Sequence, residues 1–165
     1  DCMNGSMDWH VDGEHGRMQL ARITGVMGLG CPVGNPVPEQ PESRFSGSWY
    51  DPSHAGEGYV LEVLSNGALL VYWFTFDPDG NRRWFLGVGE VVNGDLVFPD
   101  MLTTRGPSFG EAYDPALFET LPWGSLTLDI GCGGGPAVYD ATEEGFGSGQ
   151  LDVVRLTTLA GLDCP

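Results

Sequence analysis

The chain has 165 residues, enough for one medium domain or one domain plus a small lobe, and 41% of them are hydrophobic, enough to build a core. Its formal charge of −16 sets 23 acids against seven arginines and no lysine, so the basic footprint of a nucleic-acid binder is missing and an anionic membrane surface would repel it. No apolar run approaches the roughly 20 residues of a membrane-spanning helix, so neither nucleic acid nor membrane insertion is expected, and the acidity reads first as solubility.

The amino end is half of an internal repeat. With Cys31-Pro32 set on Cys164-Pro165, Leu29 meets Leu162, Gly28 meets Gly161, Thr24 meets Thr157, Arg22 meets Arg155 and Gly16 meets Gly149. The apolar positions Met18, Leu20, Ile23 and Val26 fall on Leu151, Val153, Leu156 and Leu159, and a length difference in the turn brings Cys2 onto Cys132 and Trp9 onto Tyr139. Each copy opens on a cysteine, runs as a strand with an aromatic, turns at glycine and returns as a second strand. That pattern predicts a β-hairpin stapled at its base.

The repeat chooses among the three connectivities of four cysteines: Cys2 with Cys31, and Cys132 with Cys164. No CxxC pair suggests zinc or redox chemistry. Each bridge closes a loop of about 30 residues and contributes roughly 3–4 kcal/mol in the chain-entropy model.

An isolated hairpin has no second layer for its apolar face, so residues 1–32 are expected to dock, on their own body or on another copy. Met3, Met7, Trp9, Met18 and Met27 are the candidate docking residues, methionine being adaptable at contact surfaces. Residues 33–44 are proline-rich and predict a semi-rigid spacer.

The body, residues 45–165, reads as strands separated by turns. A Gly-x-Trp-Tyr strand ends at Asp51-Pro52, and Tyr59 to Leu64 forms the next. Asn66-Gly67 is a strong hairpin signal. Ala68 to Phe76 is a central strand. Arg82 to Val92 follows, with Gly87 and Gly89 marking bulges, and Asn93-Gly94-Asp95 turns into Leu96-Val97-Phe98. Residues 105–122 are expected to be irregular, with one helical turn capped by Asp114 and opened by Pro115. Ser125 to Ile130 leads into the last hairpin. Successive hairpins without helical crossovers predict an all-β antiparallel meander, closed as a barrel or folded as a sandwich.

Gly47-x-Trp49-Tyr50-x-Pro52, Gly56-x-Gly58 and Tyr72-x-x-Thr75-x-Asp77-x-x-Gly80-x-x-x-Trp84-Phe85 resemble β-rich modules of secreted bacterial proteins. The likeness covers about residues 45–165 and implies fold and secretion rather than a chemistry. The Gly-x-Trp-Tyr opening is also similar, over a short stretch, to the first strand of avidin-like barrels, from which no biotin-site residue carries over.

Asp77-x-Asp79-Gly80-Asn81 looks like the start of a calcium loop but lacks the downstream glutamate and reads as a tight turn; no metal and no cofactor are expected. No nucleophile elbow or phosphate loop is present, and no enzymatic reading is compelled. The first functional reading is an extracellular structural protein, secreted, at the cell surface or periplasmic, whose hairpin docks on other copies of itself or on adjacent repeats to give a filament or tandem array. The alternative is a carbohydrate or small-ligand module using Trp49, Tyr50, His54, Glu57, Trp73 and Trp84. The least favoured is a glycoside-type hydrolase using Glu57 or Glu62.

Overall fold

A computed structural model describes residues 2–29, 41–162 and 164. The amino-terminal pair β1 (Asn4–Val11) and β2 (Glu14–Ala21) forms a sheet of its own. Eight further strands follow: β3 (Gly47–Tyr50), β4 (Gly58–Val63), β5 (Leu69–Phe76), β6 (Arg82–Val92), β7 (Asp95–Arg105), β8 (Glu119–Leu128), β9 (Gly134–Ala141) and β10 (Ser148–Arg155). They close as an antiparallel barrel in chain order, with β10 pairing back onto β3. Of the two architectures expected from the sequence, the barrel is the one formed. Closure removes the free sheet edges an open meander would carry.

Alternation decides which side chains fill the barrel. Tyr59, Leu61 and Val63 on β4, and Leu69, Val71, Trp73 and Thr75 on β5, point inward and are buried. Their neighbours Phe74 and Phe76 point outward and stay exposed. The glycines of β6 answer to the same core. A Cβ on Gly87 would lie 2.3 Å from the Met101 sulfur, and one on Gly89 would lie 2.2 Å from the Val97 carbonyl oxygen. The β6–β7 register shifts between Gly87 and Glu90, where the sequence marked a bulge.

Two strands run further than expected. β7 continues past Phe98 to Arg105, and β8 begins at Glu119, inside the stretch read as irregular. Pro99 and Pro122 hide these extensions, because proline reads as a strand breaker. Pro99 falls where the β7–β8 register shifts, between Phe98 and Met101. The short 3-10 turn Pro115–Leu117 does form, with the Asp114 carboxylate accepting from the Ala116 N–H at 2.9 Å.

One end of the barrel is plugged. Phe45 and Ile130 are buried there, and Leu162 is fully buried. The Cys132–Cys164 bridge ties the β8–β9 connection to the segment after β10. Arg155 lies over the Trp49 ring, 4.2 Å from its centroid, and donates to the Arg44 and Cys132 carbonyls at 2.8 and 3.2 Å. Met27 completes the plug: it is buried, its N–H donates to the Val63 carbonyl at 2.7 Å, and its neighbour Val26 bridges to Leu64. Met27 was expected on an outer docking surface, but it belongs to its own barrel. Cys2 is disulfide-bonded. Its expected partner Cys31 and most of the 33–44 spacer lie outside the described residues.

Candidate functional site

Two features stand out from the closed barrel. The first is the β1–β2 hairpin. Asp12 and Gly13 both adopt left-handed backbone, giving the tight two-residue turn that suits the twist of a ribbon. Because directly paired residues share a face, Gly5/Leu20, Met7/Met18, Trp9/Gly16 and Val11/Glu14 lie on one side of the ribbon, and Ser6/Gln19, Asp8/Arg17 and His10/His15 on the other. The polar side carries a two-pronged Arg17–Asp8 ion pair at 2.6 and 2.9 Å. The apolar side is largely uncovered: Met3, Met7, Val11, Met18 and Leu20 are all exposed. Near the ribbon's tip, Trp9 meets Phe109 edge-on at 5.0 Å.

The carboxy-terminal hairpin β9–β10 pairs in the equivalent register. Tyr139 faces Gly149 as Trp9 faces Gly16, Ala137 faces Leu151 as Met7 faces Met18, and Gly135 faces Val153 as Gly5 faces Leu20. In both hairpins the ring lies over the glycine. A Cβ on Gly16 would sit 2.8 Å from the Trp9 ring, and one on Gly149 would sit 2.5 Å from the Tyr139 hydroxyl. An arginine also lies beside a cystine sulfur in each, Arg22 at 3.9 Å from Cys2 Sγ and Arg155 at 3.7 Å from Cys164 Sγ. The difference is burial. Ala137 is 0% and Leu151 7% exposed inside the barrel, whereas Met7 and Met18 on the free ribbon are 42% and 37% exposed.

The second feature is the unplugged end of the barrel, where the β3–β4 loop, the β5–β6 turn and the β9–β10 turn meet. They frame a cavity of about 390 Å³ lined by His54, Glu57, Trp73, Thr75, Tyr139 and Phe146, among others. Beneath it the rings interlock: Trp73 meets Tyr59, Trp123 and Tyr139 at 5.2 Å each, and Phe85 stacks on Trp123 at 4.2 Å. At the rim the Thr75 hydroxyl donates to the Glu57 carboxylate at 2.5 Å. Asp51 accepts from the Ser53 hydroxyl and N–H at 2.6 and 2.8 Å and from the Asp152 N–H at 3.0 Å. These bonds, the Ser53 hydroxyl first, hold its carboxyl far below the usual carboxylate range. His54 Nδ1 lies 3.1 Å from the same carboxylate.

Of the six ligand candidates read from the sequence, this cavity gathers His54, Glu57 and Trp73. Trp49 is not at a surface: it is buried, and its Nε1–H donates to the Phe45 carbonyl at 3.0 Å. Trp84 is half-buried on the outer wall opposite Phe74, and Tyr50 is half-buried at the end of β3. Glu57 and Glu62 do not converge. Five residues of extended chain separate them by about 16 Å, wider than the roughly 5–9.5 Å of a glycosidase pair. Sequence reasoning missed Tyr59, Trp123 and Phe146. Trp123 was hidden by Pro122 beside it. Among the described residues no group of three or more metal-ligating side chains is found, and no helix is long and apolar enough to cross a membrane. Comparison with protein-family models, characterised proteins and solved structures gives no match.

Proposed function

We propose that the chain is an extracellular structural protein that assembles with copies of itself, its β1–β2 hairpin serving as an arm that seats on a second copy. One observation carries the reading: the arm shares the register of β9–β10, yet beyond the Trp9–Phe109 contact its apolar side is left exposed at Met7, Val11, Met18 and Leu20, while the equivalent side of β9–β10 is core. A ribbon with one uncovered apolar face gains by burying it.

The receiving surface lies on the outer wall of β5 and β6. There Phe74 pairs across to Trp84, Phe76 and Val88 share the face, and Tyr72 stacks near Phe74 at 6.5 Å. Phe74, Phe76 and Val88 are exposed. The closed barrel offers no long free edge for strand addition among the described residues, so the joint is face to face rather than edge to edge, one apolar sheet face on another. Arm and receiving wall are different surfaces of one molecule, so each copy that accepts an arm still presents its own, and the contact propagates as an open chain. The ribbon's face is roughly 27 Å by about 10 Å, well under the about 800 Å² per partner of a standard stable interface. Association of two copies is therefore weak and rises with concentration. The disulfide at Cys132–Cys164 and the bonded state of Cys2 support an oxidising location.

The test is sedimentation velocity over a concentration series. Met7→Asp with Met18→Asp on the arm, or Phe74→Asp on the wall, places a carboxylate in the joint and is expected to leave a monomer. Association unchanged by both variants would overturn the reading.

A further inference from the structure

We infer that the open end of the barrel binds a neutral, hydroxyl-bearing small molecule of monosaccharide size. Three hydrogen-bond donors lie within the ring cluster at or beneath the cavity, and each lacks a partner among the described residues: the Tyr59 hydroxyl, Trp73 Nε1–H and Trp123 Nε1–H. All three residues are more than nine-tenths buried, and Trp73 itself lines the cavity. A buried donor left unpaired keeps its full desolvation penalty, so the Trp73 Nε1–H on the cavity wall calls for an acceptor that the described residues do not supply. Burial also pushes the Tyr59 hydroxyl well above its usual range, so it remains a donor.

Charge narrows the class. An anion would meet Glu57 and Asp77 on the cavity wall and a chain of net charge −16. A cation seated against Phe146 would meet the like charge of Arg83, which already covers that ring. Its guanidinium lies 5.3 Å from the Phe146 centroid and 5.5 Å from that of Phe85, and it donates to Glu143 at 2.8 Å. A neutral molecule escapes both objections. An oxygen of it would accept from the Trp73 Nε1–H, its hydroxyls would donate to Glu57 at the rim, and its C–H faces would lie on Trp73, Tyr139 and Phe146. Thr75, by donating to Glu57, fixes the carboxylate for that task. A cavity of about 390 Å³ lies within the size range of small-molecule sites.

The test titrates the full-length protein with the methyl glycosides of glucose, galactose and mannose, reading tryptophan fluorescence, with glucuronate and glucosamine as charged counterparts. At least one neutral glycoside is expected to give a saturable change, and the charged sugars none. Trp73→Phe removes one donor with little loss of ring volume, and Glu57→Gln removes the rim charge. Each is expected to weaken binding about tenfold or more. Glu57→Gln lies at the half-buried rim and decides the matter if Trp73→Phe fails to fold. A flat titration for every neutral glycoside, equal binding of the charged sugars, or undiminished binding by the folded variants would each overturn the inference.

Discussion

Met27 separates the part of the amino-terminal segment that is packed into its own barrel from the β1–β2 ribbon whose apolar side is exposed. Its side chain is 5% exposed and packs in the same cluster as Phe45, Val63 and Ile130. Beside it Gly28 approaches Leu162 so closely that a Cβ there would lie 2.7 Å from the leucine Cδ2. Truncating a buried methionine to alanine costs about 2–5 kcal/mol, depending on how far the site collapses. The plug borders half-exposed Gly28 and Leu29, which lets solvent reach the vacancy and favours the lower half, about 3 kcal/mol. In a chain of this length each kcal/mol moves the melting point by about 2–4 °C, so Met27→Ala is expected to lower Tm by about 6–12 °C. Met7→Ala, on the exposed arm, removes no buried contact and is expected to stay within about 0.5 kcal/mol of the parent. Near-ultraviolet circular dichroism of the buried tryptophans, followed through thermal unfolding of dilute monomer, distinguishes the two. Equal melting of Met27→Ala and Met7→Ala would refute the seating of residues 25–29 in the barrel end.

Replacing both Cys132 and Cys164 by serine opens a loop of sequence separation 32 and is expected to cost roughly 3–4 kcal/mol; an unchanged thermal midpoint with the strand spectrum retained would count against that cross-link as a source of stability. Asp51 governs the acid limb of stability. Its native carboxyl refuses a proton that the unfolded chain accepts near the ordinary value of 3.8, so its contribution is complete above that pH and declines as the pH falls below it toward the native value. Asp51→Asn is expected to flatten that part of a Tm-against-pH profile, and a profile as steep as the parent's would exclude the role.

The all-β class was legible from turn chemistry and alternation, and barrel closure was not. β10 returns to β3 through only two paired positions, Val154 with Tyr50 and Arg155 with Trp49. That seam is reinforced by side chains: Asp51 takes the Asp152 N–H, and Thr157 Oγ1 takes the Ser48 N–H at 2.9 Å. No local pattern announces a contact formed by one carboxylate oxygen and one hydroxyl with backbone N–H groups a hundred residues away in sequence. The cavity was half legible for a related reason. His54, Glu57 and Trp73 sit in one stretch of chain, but the ring cluster needs Trp123, Tyr139 and Phe146 brought in by β8, β9 and the turn after β9. The candidate docking residues divide by position: Met7, Trp9 and Met18 lie on one side of the β1–β2 ribbon, whereas Met27 follows the hairpin and is buried in the end of its own barrel, a contact that no local pattern announces.

The likeness of the two hairpins also bears on how an assembly is built. One route would let the arm of one copy displace β9–β10 of the next, since the pairs at Trp9/Gly16 and Tyr139/Gly149 correspond. That exchange gains nothing, because it expels Ala137, Leu151 and Val153 from a core where they are nearly or fully buried in order to insert Met7, Met18 and Leu20. The inserted residues are also larger at two of the three positions, Met7 for Ala137 and Leu20 for Val153, where the native side chains are 0% and 1% exposed. Overpacking of this kind costs about 1–3 kcal/mol. Seating the arm on the outer wall of β5 and β6 displaces no side chain, buries apolar surface on both partners and leaves the seam between β10 and β3 intact. Subunits joined in the proposed way would remain closed barrels, so reducing the Cys132–Cys164 bridge would weaken each unit without by itself severing the joint between units.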